Sequence, residues 1–288
     1  MSIWHMAISD LHSGSVFGLI PPDMMHEEMD RDEAKALKWD EPKVVLYNKA
    51  RKDAKNFWFE FVRLMDTIKK KYTSKLDSLF ILGDCIEGGQ SKQGGASLID
   101  SNIDTQTDVS TRIINKQIIW KFNKPKTYGV RGTLYHVLQS GGRECEDDVY
   151  SRLDNIQAYD DTLFVVRGGK IWKLQHFVGR SSVPYGKSGP LARQVIQNTL
   201  ATAMEKEHDA DMMLFGHVHY CVSTGFPMAD KRAYTCPTLK CRGEAFGRQY
   251  NDFYDVGVLL FKQDKEGAPC QEFGFKIPVA YQKPKLWR

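Results

Sequence analysis

The sequence predicts an α/β fold, in which buried strands alternate with amphipathic helices. Short apolar runs at residues 4–8, 79–82 and 212–215 are bounded by turn residues, which is typical of buried strands. Residues 49–71, between the first two runs, repeat apolar side chains at helical spacing. Polar residues follow each of these strands directly, and the carboxyl ends of strands are where open α/β sheets place their ligand sites.

The rest of the chain continues this alternation. Residues 108–121 and 191–206 have helical patterns, and 144–153 opens with the acidic first turn typical of a helix N-terminus. Two runs flanking Gly168-Gly169 predict an antiparallel hairpin. The further predicted strands are residues 126–130, 233–236, 256–261 and 272–279. We expect one domain over 1–288, because no linker or repeat interrupts it, with the β-rich portion from about 220 to 288 in a second sheet.

Composition narrows the class of protein. The 288 residues are 42% hydrophobic and 26% charged, which is ordinary for a soluble globular protein. The net charge of +4 permits an anionic substrate but does not by itself indicate nucleic acid. No apolar run is long enough to span a membrane, and the first strand leaves no room for a signal peptide. We therefore expect no membrane partner and a cytoplasmic location.

Two features leave alternatives open. The six cysteines form no Cys-x-x-Cys pair and are expected to be reduced, with a zinc-thiolate site of Cys236 and Cys241 as the minor alternative. Residues 13–45 contain a Pro-Pro break and a charged stretch. They are interpreted either as a lid above the strand ends or as a solvated loop.

Carboxylates and imidazoles recur where the predicted strands end. Alone, each aspartate is explained by a turn or helix cap, and each histidine by packing. Their recurrence at one sheet edge favours a shared site. Carboxylate and imidazole ligands suit two divalent ions about 3.5–4 Å apart that share a bridging carboxylate. The residues concerned are Asp10, His12, Asp84, His136, His176, His217 and His219.

The order of these motifs resembles that of the calcineurin-like metallophosphoesterases. Asp10-x-His12, Gly83-Asp84, a Gly-Thr-x-x-His segment, His176 and Gly216-His217-x-His219 occur in the family's order. Each motif is weak alone, whereas five in order after predicted strands are specific. The segment from Gly132 to His136 is similar to a variant in phage-associated members.

This resemblance implies a fold and a set of roles. The fold is the family's four-layer αββα sandwich of two mixed β-sheets flanked by helices. By position, Asp10, His12 and His219 would hold the first metal. Asp84 would bridge both ions. His176 and His217 would hold the second metal.

The third strand departs from the family pattern, which has Gly-Asn-His followed by an acid. Thr133 stands where the asparagine that binds the second metal is expected, and His136 comes three residues later. In the favoured interpretation His136 is the catalytic general acid or transition-state stabiliser, and the second metal lacks one ligand. In the other, the asparagine is replaced as a ligand, and whether Thr133 or His136 replaces it is left open. A structural His136 is the third alternative.

The implied reaction is hydrolysis of a phosphoester by a bridging hydroxide at a dinuclear metal centre. A phosphodiester, including nucleic acid, is the first expectation for the substrate. The alternatives are a phosphomonoesterase, a protein phosphatase, or a non-catalytic scaffold that retains the fold. Manganese is the expected metal, with iron, zinc, nickel or magnesium as alternatives. Arg131, Arg143 and Arg180 are candidate phosphate clamps. The oligomeric state is not predicted.

Overall fold

Two mixed sheets and their flanking helices make up the fold in a computed structural model of the chain. The structure describes residues 2–25, 31–36, 38–90, 95, 97–137, 144–181, 183–224, 231–241 and 254–278. Within them, the helices are α1 (Arg31–Ala36), α2 (Glu41–Lys71), α3 (Ile103–Ile114), α4 (Leu134–Val137), α5 (Cys145–Ser151) and α6 (Gly189–Ala203). A π-helical turn, Asn115–Ile119, continues α3.

The first sheet has six strands within the described residues. In spatial order they are β10 (Gln271–Lys276), β9 (Gly257–Gln263), β1 (Ile3–Ile8), β2 (Ser78–Ile81), β3 (Lys126–Val130) and β4 (Ile156–Asp160). From β1 to β4 neighbouring strands are parallel, whereas β9 is antiparallel to β1 and β10. The carboxyl ends of four strands therefore share one edge.

The second sheet has four strands in the described part of the chain. Their order is β5 (Thr162–Arg167), β6 (Lys170–Gln175), β7 (Met212–Phe215) and β8 (Arg232–Thr235). The β5–β6 hairpin is antiparallel, as predicted, and β6, β7 and β8 are parallel.

Alternation along the strands produces the layers. In β1, Met6 and Ile8 pack into a core that includes α2, while Ala7 packs into a core between the two sheets. In β7, Leu214 faces that inter-sheet core, and Met213 packs on the outer face with α6. This period of two is the signature of strands buried on both faces. The layers are thus helix, sheet, sheet and helix, which confirms the predicted four-layer sandwich.

The prediction that residues about 220–288 belong to the second sheet is wrong for β9 and β10. Among the described strands of this portion, β8 joins the second sheet, and β9 pairs with β1 in the first. The reason is burial: Leu260 packs against the helices while Leu259 packs between the sheets, so β9 fits a position covered on both sides. An apolar run does not specify its neighbour. Whether the chain is a single domain stays a prediction.

The segment from residue 13 to 45 differs from the prediction in its described part. Residues 13–21 are buried, so this described part of the 13–45 segment is neither a lid nor a solvated loop. Its backbone is held by hydrogen bonds, such as that from Ile99 N–H to the Gly14 carbonyl at 2.8 Å.

Strand β4 was not predicted, because it lies at a sheet edge and its residues are largely exposed or half-buried. All six cysteines are free, as expected.

Candidate metal centre

The candidate site lies at the edge where the parallel strands of both sheets end. One or two of its residues follow each of β1, β2, β3, β6 and β7. Their ligand atoms form three overlapping groups, each with all atoms within 4.8 Å of one another. The groups are Asp10, His12 and His219; His12, Asp84 and His136; and Asp84, His176 and His217. The structure therefore brings together all seven residues singled out in the sequence.

The backbone is strained at most of these residues. The φ angle is 55° at Asp10, 48° at His12, 51° at Asp84, 70° at His217 and 58° at His219. Non-glycine residues seldom adopt this left-handed conformation. It costs roughly 1–3 kcal/mol for each residue, and such residues cluster at functional sites. The shared strain indicates that these positions are held for their side chains rather than for folding.

The first group surrounds the Asp10 carboxylate, which is fully buried. Its Oδ1 lies 3.0 Å from His219 Nε2 and 3.8 Å from His12 Nε2. The two Nε2 atoms are 3.4 Å apart. The other oxygen, Oδ2, accepts from the backbone N–H of His217 at 3.2 Å and from the Ser9 hydroxyl. Three ligand atoms thus converge on one point, and the carboxylate is fixed from behind.

The second group surrounds Asp84. Its Oδ2 lies 3.2 Å from His176 Nε2. His176 Nδ1 contacts the Leu82 carbonyl oxygen at 2.5 Å, and because that oxygen can only accept, Nδ1 carries the proton. Nε2 then faces the site, and a backbone partner on the opposite nitrogen is the usual arrangement of a metal-binding histidine. The His217 ring lies 5.3 Å from the His176 ring, measured between centroids.

The third strand end brings Thr133 and His136 close to Asp84, each beside different histidines. The Thr133 hydroxyl lies among the second group, 3.1 Å from His176 Nε2 and 3.2 Å from His217 Nδ1. His136 is in α4, a short helix that was not predicted, and its ring is 4.7 Å from the His12 ring. His136 Nδ1–H donates to the Glu87 carbonyl at 2.8 Å, and Nε2 is 4.0 Å from Asp84 Oδ2.

Glu87 and Lys240 belong to the site but were not predicted. Both are buried, and they lie 3.0 Å apart as an ion pair. Glu87 Oε2 also lies 2.8 Å from His12 Nδ1, which directs the opposite nitrogen, Nε2, toward Asp10. The only signal for Glu87 was its position three residues after Asp84 in the same loop. Nothing in the sequence indicated Lys240, because it is 153 positions away from Glu87.

Glu146 links the loops that follow β2 and β3. Its fully buried carboxylate accepts from the backbone N–H groups of Cys85 and Gly132. Burial and the nearby Asp84 charge raise the pKa of Glu146 to about 7. Although its acidic helix turn was recognised, the sequence did not indicate that this side chain points inward. Glu146 fixes the position of Asp84 relative to Thr133.

The buried histidines of the site fall into two groups, those with a raised pKa and those with a lowered pKa. Burial and Lys240 lower the pKa of His12, but Glu87 and Asp10 outweigh them and raise it to about 9. Burial likewise opposes the charge on His176, yet Asp84 raises the pKa of His176 to about 10. In contrast, burial and the neighbouring His176 lower the pKa of His217 to about 4. Burial also lowers the pKa of His219.

This donor set fits divalent cations. Protons on His12 and His176 balance the buried carboxylates, and cations could occupy the same positions between the same atoms. The ligands are imidazole nitrogens and carboxylate oxygens, which zinc, iron, manganese and related ions accept. No cysteine takes part in a candidate group among the described residues, so the zinc-thiolate alternative gains no support.

Gly216 is needed for close approach. A Cβ there would collide with the Ser9 hydroxyl and lie 2.6 Å from the Leu82 carbonyl oxygen. The absence of a side chain at this position therefore lets the His217 turn pack against the first sheet.

The candidate phosphate clamps differ in their surroundings. The Arg131 guanidinium contacts Glu144 at 2.6 Å and Asp147 at 2.7 Å, so carboxylates already engage it. Arg180 is exposed and its role stays a prediction. Arg143 lies outside the described residues.

Comparisons with known proteins identify similar folds at low identity. No protein-family profile and no curated protein sequence matches the chain. Vps29 from Chaetomium thermophilum is 12% identical, with a TM-score of 0.42, and the match covers 97% of this chain and 100% of that one. Vps29 from Entamoeba histolytica, complexed with Zn²⁺, is 12% identical, with a TM-score of 0.38 and coverage of 94% and 99%.

A third similar structure is the sulfate thiohydrolase SoxB from Thermus thermophilus, in complex with glycerol. It is 10% identical, with a TM-score of 0.39, and the match covers 96% of this chain and 56% of that one. The four-layer fold rests on the strand pairing described above, and we take no activity from these three proteins. Among the described residues, no helix is long and apolar enough to cross a bilayer. The cytoplasmic location stays a prediction.

Proposed function

We propose that this chain is a metal-dependent phosphoester hydrolase of the calcineurin-like metallophosphoesterase type. The observation that carries the proposal is the overlap of the three ligand groups. His12 and Asp84 each belong to two groups, which makes one continuous site rather than separate clusters. Overlapping groups of carboxylates and imidazoles at a sheet edge are the arrangement that two neighbouring cations need.

The proposed ligand roles follow the grouping. Asp10, His12 and His219 would hold the first ion, His176 and His217 would hold the second, and Asp84, which lies between these groups, would be shared. When bound, two divalent ions supply Lewis acidity, activate water and neutralise charge on the transferred phosphoryl group. Manganese is the proposed metal, with iron, zinc, nickel or magnesium as alternatives, because mixed nitrogen and oxygen sites accept all of these.

His136 is the proposed general acid. The bond from Nδ1–H to the Glu87 carbonyl fixes the ring and directs Nε2 toward the site. At this position Nε2 can hold a proton and transfer it to the leaving oxygen of the ester. The half-buried ring remains partly accessible, which a group that must contact substrate requires.

A phosphodiester is the proposed substrate, with nucleic acid as the first candidate. Phe177 directly follows His176, is 59% exposed and lies 4.9 Å from the His217 ring. Leu134, beside Thr133, is 61% exposed. An exposed aromatic ring beside the candidate metal centre suits stacking of a base. The similarity of the Gly132–His136 segment to phage-associated members supports the same substrate class.

The test compares hydrolysis of bis-p-nitrophenyl phosphate and p-nitrophenyl phosphate in the presence of Mn²⁺. We expect faster turnover of the diester. The Asp84→Asn variant should lose more than about 100-fold in rate, because even outer-shell partners of metal ligands typically cost 10–100-fold. Asp161→Asn, at an exposed position between β4 and β5, is the matched control and should retain the wild-type rate.

Each other outcome has a defined meaning. Faster turnover of the monoester would replace the diesterase by a phosphomonoesterase or protein phosphatase. An Asp84→Asn variant as active as the wild type would refute the dinuclear mechanism. If neither ester is hydrolysed with manganese, iron, zinc, nickel or magnesium, the proposed activity is refuted and the chain is a non-catalytic scaffold.

A further inference from the structure

We propose that the Thr133 hydroxyl, and not His136, takes the place of the family's asparagine and is an oxygen ligand for the second cation. This inference rests on the proposed function, since it requires a site for two divalent ions. It selects one of the ligand assignments that the sequence left open at the third strand end. The second cation then does not lack a ligand, and His136 remains available for another role.

The position of the hydroxyl carries the inference. Thr133 Oγ1 lies 3.1 Å from His176 Nε2, 3.2 Å from His217 Nδ1 and 3.3 Å from Asp84 Oδ2. Those three atoms belong to the residues of the second ligand group. The hydroxyl is therefore close to every member of that group, as a fourth ligand must be. An alcohol oxygen is also a hard donor, which suits manganese and magnesium.

The backbone holds Thr133 in this position. Its own N–H donates to Asp84 Oδ1 at 2.7 Å. The preceding Gly132 lies so close to Asp84 that a Cβ would overlap the carboxylate. Glu146 accepts from Gly132 N–H on the same segment. These contacts fix the backbone of Thr133 against Asp84, so the side chain starts beside the second ligand group.

His136 is not placed to replace the asparagine. Its ring packs against His12, and it belongs to the group formed with His12 and Asp84. The Glu87 carbonyl fixes its orientation through Nδ1. Glu87 also contacts His12, which belongs to the first ligand group. The two residues that hold the His136 ring, His12 and Glu87, are therefore both at the first ligand group. Movement of His136 into the second group would break the bond to the Glu87 carbonyl.

The experiment measures Mn²⁺ binding to metal-free protein by isothermal titration calorimetry. Thr133→Val removes the hydroxyl at nearly constant volume, Thr133→Ser keeps it, and His136→Gln tests the competing residue. We expect two Mn²⁺ per chain for the wild type. Thr133→Val should weaken one of the two binding events by at least about tenfold. Thr133→Ser and His136→Gln should retain both events near wild-type affinity.

Two results would overturn the inference. The first is wild-type affinity for both ions in Thr133→Val, with thermal melts showing that the variant is folded. The second is loss of one ion in His136→Gln but not in Thr133→Val, which would make His136 the replacement ligand. Fewer than two ions in the wild type would remove the second site altogether. Two ions without ester hydrolysis would refute the proposed activity alone, because the Thr133 comparison is read from binding.

Discussion

The two ends of the central strands both bury histidines, but in different ways. At the amino end, His5 of β1 is fully buried, bonds Gln263 at 3.1 Å and packs against the Trp172 ring at 5.1 Å. Asp77 beside it pairs with Arg167 at 2.6 Å. At the carboxyl end, His12 and His219 face each other at 3.4 Å beside Asp10. The amino end surrounds its histidine with a neutral hydrogen-bond partner, an aromatic ring and a nearby ion pair, while the carboxyl end concentrates ligand atoms.

The backbone makes the same distinction. His5 has no left-handed φ, whereas Asp10, His12, His217 and His219 all do. Buried polar groups that serve folding are found in relaxed conformations with partners, because strain and desolvation both reduce stability. At the carboxyl end, both backbone strain and desolvation are present, although each of them reduces stability. This contrast indicates that the amino end supports the fold and the carboxyl end supports chemistry.

The largest expected effect comes from exchanging one carboxylate at each end. Asp10→Asn keeps the size of the side chain, and asparagine tolerates the left-handed backbone. Ester hydrolysis should fall more than about 100-fold, with little change in melting temperature. Asp77→Asn should do the reverse, lowering the melting temperature while the rate per folded molecule is retained. Equal loss of activity in both variants would contradict the division between the two ends.

A smaller effect is expected from the support beneath His12. Glu87→Gln removes the carboxylate charge that lies beside His12 Nδ1 and pairs with Lys240. Mn²⁺ affinity should drop roughly 10–100-fold, as for other outer-shell partners of metal-binding histidines. Titration calorimetry measures this directly, and Glu87→Asp tests whether a shorter carboxylate restores part of the affinity. Unchanged affinity in Glu87→Gln would show that the ion pair serves folding alone.

The smallest expected effect is a pH dependence of stability at the amino end. Burial lowers the pKa of His5 to about 4 from the usual 6.5. The folded state therefore requires the neutral ring, so stability is complete above about pH 6.5 and declines as the pH falls toward 4. When the pH is lowered from about 7.5 to 5.5, His5 becomes protonated in the unfolded state, and the free energy of unfolding should fall by about 1 kcal/mol.

Urea unfolding at both pH values measures this term. In His5→Gln, which cannot titrate, the difference between the two pH values should be smaller than in the wild type by that amount. Identical pH dependence in the two proteins would mean that protonation of His5 does not destabilise the folded state. The amino and carboxyl ends of the strands would then differ less than proposed.

Much of the site could be predicted because its residues follow recognisable strands. The apolar runs before Asp10, Asp84 and His217 predicted both the strands and their common edge. By contrast, β4 carries little buried surface, and α4 is a single turn, so neither leaves a periodic pattern. The neighbour of β9 also could not be predicted, since many apolar strands fit beside β1 equally well from sequence alone.

The α/β alternation, the order of the ligand motifs and the residue types at the strand ends could all be predicted from the amino-acid sequence. These are local properties, because periodicity and the residues after a strand are recognised within a few positions. The positions of Thr133 among Asp84, His176 and His217, and of His136 beside His12, are properties of the folded chain. The folded chain also places Glu87 and Lys240 where they support the site. Those contacts join segments far apart in the chain, and packing alone sets their distances.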